Sequence, residues 1–526
     1  MKKFLSILFV LILGVLTASC WCLPSEAADS DKVLTVRKAS ALVATDWNKL
    51  FTTSDCQIIW TNVFEGLYGI NEAHGGYYNE LAKEVKISDD QLTYTITLND
   101  ATFQNGDSLN ASDVVFSYEM AMENPRWGYL TGMIDKISKA DDKTVVFTLK
   151  HPYSPIAHTF FSIKISSEKE VTSAGADFGT KPHKAGTGPY YISEYNPATG
   201  VKFKAYDGYW RGAPKIKNID VVLITEDSAA VIAYENGELG YMHDAPTAEW
   251  EELASASDGR SAMVKGNSIR MLNVNYMSKT NNSILANPLV RKAICYAVDK
   301  ETVNKVATNG YGVVAYEYMP SDYVQTSPPA SAGGFELYKY NPEKARELLK
   351  EAGYTDEQLK AGVSVGTLTT YGAATGEKAK QAQVIQANLA DVGLKCEVEV
   401  ADVAIISPRL HSYDYDLAVF GDSGNFDYNN IRQMVHSESV GMDVIHFKTD
   451  NSPFNWKRLE ELCDLGVSTS DVAKRLGYYT ELWNIVQETA TIFPLIHMPV
   501  GVVWGKDVDP GDICPTYFHF YDFSWK

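Results

Sequence analysis

The residues with the most chemical potential lie in one short run, Gly421-Asp422-Ser423-Gly424-Asn425-Phe426-Asp427. Gly-Asp-Ser-Gly surrounds the nucleophile of trypsin-like proteases, and a serine there attacks a carbonyl only when a histidine base stands beside it. The ten histidines are scattered, and none has the small-residue and cysteine context that accompanies such a base. A secreted serine hydrolase using Ser423 is therefore a remote alternative. No His-Glu-x-x-His spacing supports a catalytic zinc, and no Gly-x-x-x-x-Gly-Lys-Ser/Thr loop or Gly-x-Gly-x-x-Gly run offers a phosphate cradle. Absence of these motifs weakens an enzyme without excluding one; the expectation is a protein that is not an enzyme and needs no cofactor or resident metal.

The body that positions this run is large. Its 526 residues, 45% hydrophobic and 21% charged, can bury a substantial core and divide into about three domains. Lys plus Arg total 47 against 66 Asp plus Glu, and the formal charge of -19 argues against nucleic acid or an anionic membrane face. Cationic or zwitterionic partners are favoured. Lys2 and Lys3 precede an apolar run from Phe4 to Leu16, the pattern of an export signal. That run is shorter than the roughly 20 residues of a spanning helix, and no later segment reaches that length. Leu16-Thr17-Ala18-Ser19-Cys20 resembles a lipobox with Cys20 lipidated, whereas Ser25-Glu26-Ala27 resembles an ordinary peptidase site. Thr17 and Trp21 fit the first poorly, so residues 1–27 read as a signal peptide of an exported, periplasmic or cell-surface protein. Seven cysteines lie at 20, 22, 56, 295, 396, 463 and 514. They form no disulfide framework, and buried single thiols are expected, with one bridge left open.

Local patterns supply the elements. Lys32 to Ala39 reads as a strand, the polar stretch after it as a loop, and Ile58 to Ile70 as a helix by its apolar spacing. Leu92 to Leu98 alternates apolar with Thr, as a half-buried antiparallel strand does. Asn110 caps a helix whose first turn holds Ser112 and Asp113. Ile216 to Ile224 is a nearly unbroken apolar strand, followed by a short helix stopped at Gly237. Asn287-Pro288 and Asn341-Pro342 each open a helix with a cap and a proline in the first turn. A helix from Glu377 then leads into Leu394 to Val400, and Tyr415 to Gly421 forms a buried strand ending at the Asp422 loop.

Five blocks in order carry a resemblance that spans essentially the chain beyond the leader. They are NVFEGLYGI, Leu81 to Ala121 with LNASDVVFSYEMA, GTGPYYISEYNPATGVKFKAYDGYW, NPLVRKAICYAVDKETV and YNPEKARELLKEAGY. The sequence resembles the extracellular solute-binding proteins of the dipeptide, oligopeptide and nickel ABC importers, family 5. The resemblance implies an α/β, two-lobed periplasmic-binding-protein fold of class II, cluster C, with an extra inserted domain. Lobe I would comprise 28–70, 186–285 and 496–526, the insert 71–185, and lobe II 286–495. The chain would cross between lobes near 280–290 and 490–500 and close about that hinge. A di- or oligopeptide held in extended form would pass to an ABC permease, which couples transport to ATP. The alternative is a non-peptide cargo such as a metal chelate, a sugar or a modified amino compound. The protein is expected to be a monomer that binds no nucleic acid.

In family members an Asp in the loop after the YDLAVFG strand pairs with the peptide's α-ammonium. Here Asn425 aligns with that position, flanked by Asp422 and Asp427, and the family's Trp is missing. A buried ammonium needs a carboxylate nearby, so either Asp422 or Asp427 supplies the anchor or the ligand has no free α-ammonium. Across the cleft, the loop with Ser54 and Asp55 matches a segment that faces the ligand, and Tyr371 is a further candidate lining residue. Gln104-Asn105-Gly106 replaces the family's His-Asp-Gly, a change expected to alter only a hairpin.

Overall fold

The computed structural model describes residues 31–50, 53–71, 76–279, 282–319, 327–328, 338–423, 427–436, 455–517 and 519–526. The leader, with Cys20 and the cleavage after Ala27, lies outside them, as does Asn425.

The chain opens with β1 (Val33–Lys38) as expected, then departs from the sequence reading. The helix lies at Thr53–Trp60, so Thr53, Ser54 and Asp55 form its first turn where a loop was expected. The apolar run beyond it is a buried turn followed by β2 (Tyr68–Asn71), paired with β3 (Gly76–Asn79). Gly66 shows why that run does not coil. A Cβ there would stand 2.5 Å from the Phe160 carbonyl oxygen, so two backbones touch where a helix would place side chains.

Next, β4 (Ala82–Ile87), β5 (Thr93–Leu98), β6 (Ile134–Asp141) and β7 (Thr144–Leu149) form a separate antiparallel sheet in the order β4-β5-β7-β6. The alternation read from the sequence buries Tyr94, Ile96 and Leu98 on one face of β5. Asn110 and Asp113 close a capping box on the helix Ala111–Glu123. This inserted segment shares its core with the first lobe. Ile96, Val114 and Phe147 belong to the same apolar cluster as Leu34, Val36, Tyr190 and Phe520.

Specific ties hold the first lobe together and join the insert to it. Tyr209 Oη and Trp210 Nε1 donate to Glu65 at 2.6 and 2.9 Å. Burial, then the neighbouring Glu80, pushes the Glu65 carboxyl above its ordinary range, and these two donors partly counter them. At Gly186 a Cβ would lie 1.9 Å from the Val63 carbonyl oxygen, so this glycine is required by close approach. Gln104 does more than shape a hairpin. It is buried, and its Nε2 donates to the carbonyls of Val63 at 2.8 Å, Gly188 at 3.1 Å and Tyr190 at 2.7 Å.

Ten further strands are β8 (Tyr190–Asn196), β9 (Gly200–Ala205), β10 (Asn218–Leu223), β11 (Tyr241–Ala245), β12 (Ser261–Val274), β13 (Val313–Val314), β14 (Val363–Tyr371), β15 (Leu394–Ala401), β16 (Leu417–Ser423) and β17 (Ile492–Trp504). With β1 they form one eleven-stranded sheet in the order β15-β14-β16-β12-β17-β11-β1-β10-β9-β8, with β13 attached to β17. β12 and β17 pair from Ser261↔Val503 to Lys265↔Pro499, shift register, and resume from Ile269↔His497 to Asn273↔Ile492. β11 meets β17 at 501–504, and β16 meets β12 at 268–274. The ladder is thus interrupted at 265–269 on β12 and at 497–499 on β17. Leu272, Val274 and Leu285, which the sequence reading places in lobe I, pack in one apolar core with Val290, Leu349 and Leu389. The helices Pro288–Ala297 and Pro342–Glu351 carry the caps read from Asn287 and Asn341. Cys295, Cys396, Cys463 and Cys514 are buried, and burial raises the Cys396 and Cys463 thiols to about 11 and about 12.

Two predictions arise from buried polar groups. Gln104→Ala removes the two N–H groups that these three carbonyls share, of which the Val63 carbonyl still accepts from the Gly188 amide, and is expected to cost about 1–3 kcal/mol; an unchanged urea-unfolding midpoint would contradict the clamp. Lys300 is also buried, with Nζ 2.8 Å from the Ala315 carbonyl oxygen and 4.0 Å from the Phe493 ring centroid. Burial lowers its pKa from 10.5 to about 7. The folded chain therefore binds this proton less tightly than the unfolded chain, and stability rises with pH from about 7 to about 10. Below about 7 the full penalty is present. Lys300→Met is expected to raise the melting temperature at about pH 6 by a few degrees, with the gain shrinking towards about pH 10 in parallel thermal scans.

Candidate functional site

β14 and β16 run parallel and end side by side, pairing through Leu368↔Leu417 and Thr369↔Ala418. Their carboxyl ends bring out Tyr371 and Asp422 together, at the edge where open α/β sheets hold ligands. β12 lies against the other side of β16, with Ile269 opposite Asp422. The candidate site therefore sits beside the break between the two halves of the β12–β17 ladder.

Asp422 is buried, and neutral donors orient it. Tyr318 Oη donates to Asp422 Oδ2, and Asn430 Nδ2 reaches the same oxygen at 2.9 Å. Ser268 Oγ donates to the Asp422 carbonyl at 3.1 Å. Next to Ser268, Arg270 stands 2.8 Å from Glu377, and Lys378 lies 3.2 Å from the same carboxylate. Burial alone would raise the Glu377 pKa, but Arg270 and Lys378 outweigh it and hold the carboxyl below its ordinary range. The Lys378 ammonium lies 4.7 Å from the Tyr371 ring centroid. Gly421 makes room for this group, because a Cβ there would stand 2.3 Å from Arg270 Nη1. Burial first, then Glu377 and Asp422, raises the Tyr371 pKa against the opposing effect of Arg270. Tyr371 thus feels both the cationic cluster and Asp422.

Asp427 occupies a different environment. Arg475 Nη2 contacts its two carboxylate oxygens at 2.6 and 2.7 Å, and the Asn429 amide donates to it at 2.9 Å. Burial works against the Arg475 charge, and Asp427 more than offsets it, so the guanidinium pKa is raised. Arg475 Nε also donates to the Gly466 carbonyl at 2.7 Å. One residue on, the Val467 carbonyl accepts from the Ser154 amide of the inserted segment at 2.7 Å. The Asp427 side of the loop is thereby tied across the cleft to the insert.

Of the residues singled out from sequence, the structure brings Asp422 and Tyr371 together. Asp427 lies nearby with its own cation, Ser54 and Asp55 sit on the first turn of the first-lobe helix, and Asn425 is outside the described residues. Sequence reasoning missed Tyr318, Asn430, Arg270 and Glu377. A charged residue inside the apolar run Ile269-Arg270-Met271-Leu272 was the available signal for Arg270. For Tyr318, 104 residues from Asp422, there was none.

Among the described residues no group of three or more His, Cys, Asp or Glu side chains could hold a metal ion, and no helix is long and apolar enough to cross a membrane. Because Asp427 and Arg475 are a buried pair, Asp427→Asn strands the guanidinium and is expected to cost about 3–5 kcal/mol. Chemical denaturation measures that cost, and a change below about 1 kcal/mol would show that Arg475 is satisfied without it.

Residues 76–455 match the family described as bacterial extracellular solute-binding proteins, family 5 Middle. The chain is 30% identical over 416 residues to the glutathione-binding protein GsiB of Salmonella typhi, covering 76% of this chain and 75% of that protein. The fold is similar to that of NikA from Brucella suis, solved in complex with Fe(III)-EDTA, with TM-score 0.82, 19% identity and coverage of 94% of this chain and 100% of that one. It is also similar to the oligopeptide-binding protein AppA of Bacillus subtilis, solved with a nonapeptide, with TM-score 0.78, 19% identity and coverage of 94% and 99%.

Proposed function

Because the chain belongs to the bacterial extracellular solute-binding proteins of family 5, we propose that it captures a short zwitterionic peptide between its lobes and delivers it to an ABC permease, with Asp422 receiving the α-ammonium. What supports this reading is the position of Asp422: its carboxylate is buried at the carboxyl end of β16, oriented by the hydroxyl of Tyr318 and the amide of Asn430, beside Tyr371 at the end of β14, whereas Asp427 is held by Arg475. An ammonium beside Asp422 would add an opposite charge in a closed, dry cleft.

Arg270 and Lys378 outnumber Glu377 in the adjacent cluster, leaving one net positive charge for a carboxylate of the same ligand. A zwitterion satisfies both ends. Tyr371 would then line the cleft between the two charged groups, and Asn425 would border the ammonium. Ser54 and Asp55 would meet the ligand from the first lobe, and main-chain hydrogen bonds along an extended peptide would give affinity with little side-chain selectivity. A peptide-type cargo is supported by the relatives named for glutathione, so glutathione belongs in the first ligand panel. A monomer suffices for this task. We further propose export by the leader, with cleavage after Ala27 favoured over lipidation at Cys20.

Calorimetric titration with short peptides tests the anchor. Asp422→Asn is expected to weaken binding of a free-amino peptide by about 10- to 100-fold, in line with about 1.5–3 kcal/mol for a hydrogen bond to a charged group. N-acetylation of the peptide should have a comparable effect on the unmodified protein. Full affinity in both Asp422→Asn and Asp427→Asn, or equal affinity for the acetylated peptide, would refute the ammonium anchor. Peptide recovered intact after binding would separate capture from hydrolysis at Ser423.

A further inference from the structure

Two carboxylates, Glu65 and Glu80, are buried where the insert meets the first lobe. Glu65 belongs to the turn after the helix Thr53–Trp60, and Glu80 follows β3. Backbone hydrogen bonds bring the two together: the Glu80 amide donates to the Leu67 carbonyl at 3.0 Å and the Leu81 amide to the Gly66 carbonyl at 3.2 Å. Glu80 Oε2 in turn accepts from the amide of Gly66, the residue next to Glu65, at 3.3 Å. Both side chains line one cavity of about 270 Å³ together with Tyr209, Arg211 and His519. Arg211 and Asp522 on the same lining are exposed, so the cavity reaches water.

The two acids sit in unequal surroundings. Burial raises the Glu80 pKa, and the buried Lys164 and then Arg211, 3.7 Å away, pull it back. Burial and then the charge of Glu80 raise the Glu65 pKa, and the hydrogen bonds from Tyr209 and Trp210 only partly offset them. The proton of the pair therefore belongs to Glu65 and the charge to Glu80. The hydrogen bonds locate it further. Trp210 Nε1 can only donate, so Glu65 Oε2, 2.9 Å from it, remains an acceptor and the proton falls on Oε1. Oε1 faces Tyr209 Oη at 2.6 Å, a hydroxyl able to accept as well as donate. The neutral acid keeps both partners.

The other ionisable groups around the pair hold steady near neutrality. Burial and then Lys164 lower His158 and His519 to about 4, so both are uncharged. Burial and then the carboxylates raise the Tyr78 and Tyr209 hydroxyls above their ordinary value. Burial works against the Arg211 charge, but Tyr209 and Tyr78 outweigh it and keep the guanidinium a cation. On the rim, burial raises Asp522 against the pull of Arg211.

We propose that Glu65 and Glu80 form a pH-sensitive joint between the first lobe and the insert, closed while Glu65 carries a proton and loosened by repulsion between the two carboxylates when that proton passes through the cavity to water. Like charges in one buried site cannot both ionise without cost. The folded chain holds this proton more tightly than the unfolded chain, so the joint's contribution to stability is complete below the ordinary glutamate range and is lost as pH rises through the raised value. A member of an extracellular family meets the pH of the medium, and the segment so released is the one whose Ser154 amide reaches Val467 of the second lobe. The joint is independent of the cargo.

Infrared difference spectra of the full chain read the proton directly. The carbonyl stretch of a protonated carboxylic acid is expected at about pH 7, where an ordinary glutamate is ionised, and is lost by about pH 9.5. Glu65→Gln should remove that band while keeping both hydrogen bonds, because its amide donates to Tyr209 and its carbonyl accepts from Trp210. Hydrogen exchange at the amides of Glu80, Leu81 and Ala82, which donate to Gly66 and Leu67, reads the joint itself. At about pH 9.5 these amides should exchange about 10-fold or more faster in the unmodified protein than in Glu65→Gln, and at about pH 6 equally. Comparing the two proteins at one pH cancels both the base catalysis of exchange and the titration of Lys300. Glu80→Gln removes the neighbouring charge and should move the midpoint of the band to lower pH, which keeps the joint testable if Glu65→Gln does not fold. No band at about pH 7, a band unchanged in Glu65→Gln, a midpoint unchanged in Glu80→Gln, or equal exchange at both pH values would overturn the joint.

Discussion

β12 and β17 are hydrogen-bonded along most of their length, and every other strand of the large sheet is joined directly or in series to one of them. Remove that ladder and the two halves of the molecule share no continuous backbone pairing. The ladder shifts register between Lys265 and Ile269 and again between Arg270 and Met271, and the first of these interruptions is a place where two halves of a ladder can turn relative to each other. Asp422 pairs with Ile269, the first residue beyond it. A ligand held by Asp422, as proposed, would bear directly on that interruption.

What could be read from sequence was local. The caps at Asn110, Asn287 and Asn341 act over two to three residues, and the alternation of β5 needs only its own seven-residue pattern, so these elements lie where the sequence placed them. The site partners were not legible because they come from far along the chain: Tyr318 to Asp422 spans 104 residues and Arg475 to Asp427 spans 48. A carboxylate in a loop says nothing about which cation the fold delivers to it. The apolar run 58–70 failed for a related reason. Its spacing fits a helix, but the space that a helix would need is filled by the backbone around Phe160.

Several of the recognisable blocks prove to be one physical unit. Glu65 of NVFEGLYGI receives hydrogen bonds from Tyr209 and Trp210 of the GYW run, and Val63 of the first block lies against Gly186 and Gly188 of GTGPYY. Gln104 then ties Val63, Gly188 and Tyr190 together from a third block. A change in one of these residues leaves a buried carboxylate or carbonyl unmet in another. The resemblance thus reported the join between insert and first lobe far better than it reported the cargo.

The contact between Ser154 and Val467 is made by main-chain atoms alone, one amide and one carbonyl. Any residue except proline at 154 can present that amide. This one tie between the insert and the second lobe therefore depends little on the side chain at 154, whose hydroxyl adds a contact of 3.5 Å to the Gly466 carbonyl oxygen. Drift in the side chains that face the cleft can retune what is carried, generation by generation, without redesigning how the clamp shuts.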